Sequence, residues 1–579
     1  MKSRSILGRM ARQYAWPHRW SFLAGAACLL ATNWLTVTIP IKLGEGIDAL
    51  TEGGDVSSTV WAIAWMGAAV IVVRTLSRVL FFNPGRDMEY RIRGDLFRHL
   101  LNLQPRFYAK HRTGDIVSRA SNDITWTRAM IGFGLMQVVN TTVAISMTGW
   151  KMVSISPKLT LWTIVPVGIA LGIIQLFLKR LFDLQKQSQE QLGEISDHVL
   201  GTFQGISTVQ GFSAEPAFID RLEERNQAWL ITTMRLSVIR SLAFPLLGLA
   251  GGAAIFALLY VGGPMAVVGP LSVGDLAAFA TLIGALLPPL RSLGWMLSVL
   301  QRGKAALDRI FELLDEPVDR PEGDSPTPQQ PGTAPEMKIR GLNFAYPDDP
   351  DRLVLTDVNL DIPAASVLGV FGQTGSGKTT LLRVMARLYD PPEGTVSVDD
   401  VDINRLDRFA WRSRMAVAPQ RPFLFSETIS DNIVLGTVAT DAEVDEAASR
   451  AALDPDLKVF SAGLDTVVGQ RGIMLSGGQR QRVALARALV RQADFVLLDD
   501  VLSAVDHGTE SKLVASLRGT GERSGSLPTV VIVSNRISAL RHADSIAVLD
   551  EGRVVEQGTH EELITRAGVY RDVWEVQRS

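Results

Sequence analysis

The sequence predicts an α-helical polytopic membrane domain followed by an α/β domain built around a phosphate-binding loop. Three observations predict it. Six apolar stretches crowd into the first three hundred residues, a proline-rich segment follows them, and the remainder alternates short β-branched runs with helical ones. A chain of 579 residues is long enough for several domains, and its mean hydropathy of +0.16 lies above the usual soluble average.

The apolar stretches lie at about 20–40, 58–82, 130–150, 157–178, 242–263 and 274–296. Each approaches the roughly 20 residues that cross ~30 Å of hydrocarbon at ~1.5 Å per residue. Six runs so nearly free of charge do not fit the buried helices of a large soluble protein. Lys2, Arg4, Arg9, Arg12 and Arg19 precede the first stretch, whereas the loop after it carries Glu45, Asp48, Glu52 and Asp55. That asymmetry places the amino terminus in the cytoplasm, and six crossings return the chain there. The first stretch is too long for a secretory signal, and Cys28 lacks the upstream leucine of a lipoprotein signal, so it reads as an uncleaved helix. Arg74, Arg78 and Arg291 sit in or near spans, where a charge is a functional candidate by default; snorkelling from the cytoplasmic ends of the second and sixth spans is the preferred reading. Pro288 and Pro289 are expected to kink the sixth span.

Segments 83–129 and 179–241 keep helical apolar periodicity while being strongly charged, which predicts helices that continue below the membrane. Between Glu316 and Pro335 stand Pro317, Pro321, Pro326, Pro328, Pro331 and Pro335 among small and polar residues, a composition that cannot form a core. The expected domains are therefore 1–316 in the membrane, a linker at 317–335, and an α/β domain at 336–579, where strands alternate with helices.

Composition also excludes functions. With 58 basic and 60 acidic side chains the net charge is −2, so no nucleic acid is expected as a partner. The single cysteine, Cys28, forms neither an internal disulfide nor a cysteine zinc site.

The chemistry lies in the second half. Gly372, Gln373, Thr374, Gly375, Ser376, Gly377, Lys378, Thr379 and Thr380 read GQTGSGKTT between the strand-like SVLGVF and the helical LLRVMARL. In that setting backbone N–H groups cradle phosphates, Lys378 supplies a point charge and the Thr379 hydroxyl ligates Mg2+. FVLLDD ends in Asp499 about 120 residues later, the form a Mg2+-reaching carboxylate takes at a strand end. Leu475, Ser476, Gly477, Gly478 and Gln479 spell LSGGQ at the start of a helix, a second anion site in a domain that already has one.

LSGGQ together with the phosphate loop, LSAVD and six upstream spans resembles the ATP-binding cassette (ABC) transporters, specifically the half-transporters of exporter type. The resemblance covers nearly the whole chain. It implies a P-loop ATP-binding cassette domain, and two ATP molecules sandwiched between two such domains, each pairing one chain's phosphate loop with the other's LSGGQ. It further implies that Tyr346 stacks on adenine, Gln420 is the Mg2+-sensing glutamine, and Asp506 lies in a loop at the dimer seam. VVGQRG at Val467 to Gly472 resembles the loop that touches the partner's intracellular helices, with Gln470 where the family usually has Glu. His111 to Asp123 and Gly205 to Glu224 resemble the two coupling segments.

Two positions depart from the family pattern. After Asp499 the family carries a glutamate that polarises the attacking water, and here stands Asp500, one methylene shorter. A carboxylate set back by about 1 Å costs on the order of a hundredfold in rate. The switch histidine is replaced by Asn535, which donates a hydrogen bond but carries no imidazolium charge. Residues for binding MgATP are intact while both groups promoting water attack are altered. This pattern predicts a degenerate ATP site on this chain and an intact LSGGQ for a second half-transporter, as in the heterodimeric multidrug exporters of bacteria. The expected setting is the bacterial inner membrane, with the nucleotide-binding domain in the cytoplasm, and the expected cargo is hydrophobic or amphiphilic, drawn from the cytoplasm or from among the membrane lipids. A slow homodimeric lipid flippase or exporter and an ATP-gated channel or regulatory subunit remain open at this point.

Overall fold

A computed structural model describes residues 2–318, 334–469, 475–501 and 527–578. The chain forms two compact units, Met1–Leu101 with Thr113–Glu316, and Asn102–Arg112 with Pro317–Ser579. Most of the proline-rich segment, Gln470 and Asp506 lie outside the described residues.

The first unit is all-helical. Among the described residues six helices are long and apolar enough to cross a membrane: Ile6–Thr51, Ser57–Asn102, Thr113–Ile155, Pro157–Gln204, Gly248–Val268 and Val273–Leu314. Each contains or overlaps one predicted stretch. The helix Ser57–Asn102 has 46 residues, which at ~1.5 Å each is roughly twice the hydrocarbon thickness. Its charged second half therefore projects beyond the apolar layer, as the periodicity predicted. The fifth span belongs to a helix, Glu215–Ala257, that likewise begins well before its apolar part.

Local chemistry sets the ends. Ser156 caps Pro157–Gln204 by accepting from the Leu159 N–H, with Pro157 at a first-turn position where a missing N–H is harmless. Ser272 and Asp275 form a reciprocal capping box at the start of Val273–Leu314. That last helix runs through Pro288 and Pro289 without interruption, so the two prolines remove N–H donors inside one continuous helix.

The coupling segments differ in how they match expectation. After Asn102 the chain breaks, makes a short helix Pro105–Lys110, and resumes a helix at Thr113. Most of His111–Asp123 is thus the first turns of the third long helix, and the break lies just before it, at 103–112. Pro105 fixes it there, since proline starts a helix readily but cannot sit inside one without losing a hydrogen bond. The second segment breaks within its predicted bounds, at Gly205 and again at 212–214, where Ser213 adopts φ +50°.

Packing holds this unit from both ends. Val37, Met152, Leu159, Phe279, Leu282 and Ile283 are buried together in one cluster. At Gly274 a Cβ would lie 2.1 Å from the Gly44 carbonyl oxygen, so only glycine permits this approach of the first and last helices. The Asp48 carboxylate accepts from the Gly274 N–H at 2.7 Å in the same contact. At the far end of the last helix, Arg309 meets the buried Asp123 at 2.5 Å and Arg119 meets Glu312 at 2.8 Å.

The described residues of the second unit form two sheets. One is antiparallel in the order β2-β1-β4-β5, from Met337–Ala345 (β1), Leu353–Ile362 (β2), Val396–Val398 (β4) and Val401–Asp402 (β5). The other runs β10-β9-β3-β8-β7-β6, from Val367–Phe371 (β3), Met415–Ala418 (β6), Phe495–Asp499 (β7), Thr529–Ser534 (β8), Ser545–Asp550 (β9) and Arg553–Gly558 (β10). β9, β3, β8, β7 and β6 are parallel. β3, β7 and β8 are buried at every residue, as strands covered on both faces must be, hence their unbroken apolar runs. Successive residues serve opposite cores: Val496, Leu498, Val530 and Ile532 join one cluster, Phe495, Leu497, Val531 and Val533 the other.

Candidate functional site

In the parallel sheet β8 lies between β3 and β7. Neighbouring strands are ~4.8 Å apart, so whatever leaves the carboxyl ends of these three meets on one rim. The phosphate loop leaves β3, Asn535 follows β8, and Asp499 and Asp500 close β7.

A cavity of about 260 Å3 opens there, lined by Val354, Thr374, Gly375, Gly377, Lys378, Thr379, Thr380, Gln420, Asp499, Asp500 and Asn535. The loop takes its shape from glycine: Gly375 and Gly377 have φ of +90° and +102°. A side chain at Gly372 would strike the Leu549 carbonyl oxygen at 2.3 Å. Lys378 opens the helix Lys378–Met385 and curls back, its ammonium donating to the Gly372 and Gln373 carbonyls at 2.7 Å each. Burial pushes its pKa down, opposed by Asp500 and Asp499.

On the opposite wall the Thr379 hydroxyl donates to the Asp499 carboxylate at 2.9 Å. The Asp500 carboxylate accepts from Ser534 Oγ at 3.3 Å and from Gln420 Nε2 at 3.4 Å. Asp500 stands in the left-handed region at φ +52°, where aspartate is tolerated better than longer side chains. Burial raises the pKa of both carboxyl groups. The rim thus offers a hydroxyl, two desolvated carboxylates and an amide, an oxygen-rich donor set suited to a hard divalent cation such as Mg2+.

Tyr346 and the LSGGQ residues fall elsewhere. The Tyr346 hydroxyl hydrogen-bonds Thr380 Oγ1 at 2.9 Å and accepts from Arg383 at 3.1 Å, beside the cavity rather than in its lining. Leu475, Ser476, Gly477, Gly478 and Gln479 do not line it either. Ser476 caps the helix Gly477–Val490 by accepting from the Gln479 N–H, while the Gln479 side chain accepts from the Ser476 N–H at 2.8 Å. Asp456 accepts from both Gln479 Nε2 at 3.1 Å and Arg482 Nε at 2.8 Å, bracing that helix start while Ser476 and Gly477 stay exposed.

Sequence reasoning missed Ser534, which holds Asp500 from the end of β8, and Val354, which closes the cavity from β2. Being adjacent to Asn535 was the one signal for Ser534; nothing local marked Val354. Two of the three arginines also face a cavity. Arg74 and Arg78 line a cavity of about 380 Å3 inside the membrane domain together with Asn33, Gln137, Asn140 and both Pro288 and Pro289. Their neighbours come from other helices, which reading one helix against the water boundary cannot reveal.

An all-helical membrane domain followed by a phosphate-loop α/β domain with a separate SGGQ helix start defines an ATP-hydrolysing transporter. The chain belongs to the ABC transporter family, as an exporter-type half-transporter and a multi-pass membrane protein. Residues 22–290 match the description "ABC transporter transmembrane region" and residues 355–503 match "ABC transporter". It is 32% identical to the multidrug resistance-like ATP-binding protein MdlA of Escherichia coli (strain K12), over 98% of this chain and 97% of that one. The probable multidrug resistance ABC transporter ATP-binding/permease protein YheI of Bacillus subtilis (strain 168) is also 32% identical, over 95% of this chain and 94% of that one. Among solved structures, a bacterial Atm1-family ABC exporter with ATP bound superposes with a TM-score of 0.76 at 27% identity, covering 98% of this chain and 99% of that one.

Proposed function

We propose that this chain is the degenerate-site half of a heterodimeric bacterial exporter that moves hydrophobic or amphiphilic compounds out of the cytoplasm or inner leaflet by alternating access. In this reading it lies in the inner membrane with both termini and the cassette in the cytoplasm. Its domains are 1–316, a linker 317–335 and 336–579. The similarity to multidrug resistance-like proteins supports the cargo class.

One observation carries the proposal: a single cavity gathers the MgATP-binding residues Lys378, Thr379, Gln420 and Asp499 beside two weakened water-activating positions, Asp500 and Asn535. Thr379 and Asp499, with Gln420 nearby, would hold Mg2+, which supplies charge neutralisation at the phosphates. Lys378 and the loop N–H groups hold the phosphates, and Tyr346 offers an aromatic face to the base. Asp500 is too short, and Asn535 too weakly charged, to promote attack at the usual rate. The helix start with its exposed Ser476 and Gly477 supplies N–H donors to a second chain's nucleotide. A bound but unhydrolysed ATP favours the closed state for as long as it stays.

A slow homodimer is the second reading, favoured by Asp500 remaining a carboxylate on the cavity wall in contact with Gln420. The test is the fate of retained nucleotide. The protein, purified with whatever accompanies it, is incubated with MgATP, washed free of excess and its bound nucleotide identified. The proposal expects triphosphate to persist on this chain over many turnovers of the whole complex; diphosphate alone overturns it.

A further inference from the structure

The cavity in the membrane domain has an unbalanced chemistry. Three of its hydroxyls are spent on their own helices: Thr32 donates to the Cys28 carbonyl at 2.8 Å, Thr36 to the Thr32 carbonyl at 2.7 Å and Ser77 to the Arg74 carbonyl at 2.7 Å. Two of its amides donate to side chains of neighbouring helices, Asn33 to Asn140 at 3.0 Å and Gln137 to Ser292 at 3.0 Å. Arg74 and Arg78 are different. Among the described residues no carboxylate pairs with either, and no Asp or Glu lines the cavity.

The two arginines stand four residues apart on Ser57–Asn102, so they occupy adjacent turns of one face, where like charges repel. Arg74 lies 17 residues into that helix, ~26 Å along an axis crossing ~30 Å of hydrocarbon. Arg78 falls ~32 Å along, so the pair stands at the far edge of the hydrocarbon with both residues exposed, two positive charges offered to an anion with no carboxylate competing for them. Each presents a planar fork of N–H donors matched to the paired oxygens of phosphate or carboxylate. Around them Leu29, Val37, Met136 and Ala144 line the same cavity with apolar surface.

We infer that this cavity binds an anionic amphiphile, a phosphate or carboxylate head held by Arg74 and Arg78 with its apolar body against the facing helices. The inference rests on the exporter reading above and narrows its cargo from amphiphiles in general to acidic ones. Two sources share this chemistry, an acidic membrane lipid and a water-borne acidic amphiphile.

The experiment measures binding rather than transport. The full chain, with any accompanying subunit, is placed in phosphatidylcholine nanodiscs and titrated with dodecyl phosphate, dodecanoate, dodecyl maltoside and inorganic phosphate. The acidic amphiphiles are expected to bind at least tenfold more tightly than the maltoside, and inorganic phosphate far more weakly than dodecyl phosphate. Arg74→Gln with Arg78→Gln is expected to abolish the preference, whereas the Arg74→Lys, Arg78→Lys pair retains part of it. Native mass spectrometry of discs doped with phosphatidic acid reads the source. Retention of phosphatidic acid with this protein identifies the lipid, and dodecyl phosphate binding without such retention identifies the water-borne compound. MgATP binding to the same samples reports an intact cassette, so its loss counts against the exporter reading alone. Equal affinity for all head groups, inorganic phosphate binding as tightly as dodecyl phosphate, or a preference that survives loss of both arginines overturns the inference.

Discussion

Asp500→Glu is the perturbation that bears most on the ATP site. The carboxylate now accepts from Ser534 at 3.3 Å and Gln420 at 3.4 Å, both near the outer limit of a hydrogen bond. One added methylene carries it about 1 Å further into the cavity, a displacement worth on the order of a hundredfold, or about 2.7 kcal/mol. Against this stands the backbone at φ +52°, which glutamate adopts less readily than aspartate at a cost of about 1 kcal/mol. The net expectation is roughly 20-fold faster hydrolysis at this chain's own site. Combining it with Asn535→His restores the second missing group and raises the rate further. The assay is single-turnover hydrolysis with the partner's catalytic glutamate substituted, so that only this site contributes. Steady-state turnover of the unblocked two-chain complex is expected to rise no more than about twofold, since the partner's site already sets it. A single-turnover rate within twofold of the parent in both variants refutes the reasoning, as does a tenfold rise in steady-state turnover.

Ser476→Ala removes the acceptor for the Gln479 N–H, costing about 1 kcal/mol of helix stability by thermal denaturation, and it lowers turnover while leaving nucleotide binding at Lys378 unchanged. Arg309→Ala leaves the Asp123 carboxylate, 3% exposed, without its bidentate partner; allowing for the half-exposed arginine, about 2 kcal/mol is lost, read as a lower melting temperature that Arg309→Lys partly recovers. His560 has its pKa held below the ordinary 6.5 by burial against Tyr570 and Trp574, so the unfolded chain binds the proton more readily. Stability of the cassette domain therefore falls as pH drops below about 6.5, and His560→Gln flattens that part of a melting-temperature profile.

How much was legible in the sequence depends on whether the signal was local. Six spans were legible because hydrocarbon demands an unbroken apolar run, and β3, β7 and β8 because burial on both faces demands the same over five or six residues. The cavity lining was largely legible too: the glycines, Lys378 and Thr379 are contiguous, and Asp499 and Asp500 close a strand. What escaped depended on neighbours far along the chain. Ser534 matters because β8 lies beside β7, and Arg74 because helices carrying Asn33 and Asn140 surround it. The break at 103–112 escaped for another reason: charged amphipathic sequence continues on both sides of it, and Pro105 alone marks the interruption.

In the proposed heterodimer this chain's ATP site is matched by a different second chain. That pairing is tested most directly by purification from the native membrane through a tag on this chain, with mass identification of what copurifies in near-equal amount. A second half-transporter carrying Glu and His at the positions matching Asp500 and Asn535 is expected. Recovery of this chain alone, as a dimer of itself, contradicts it.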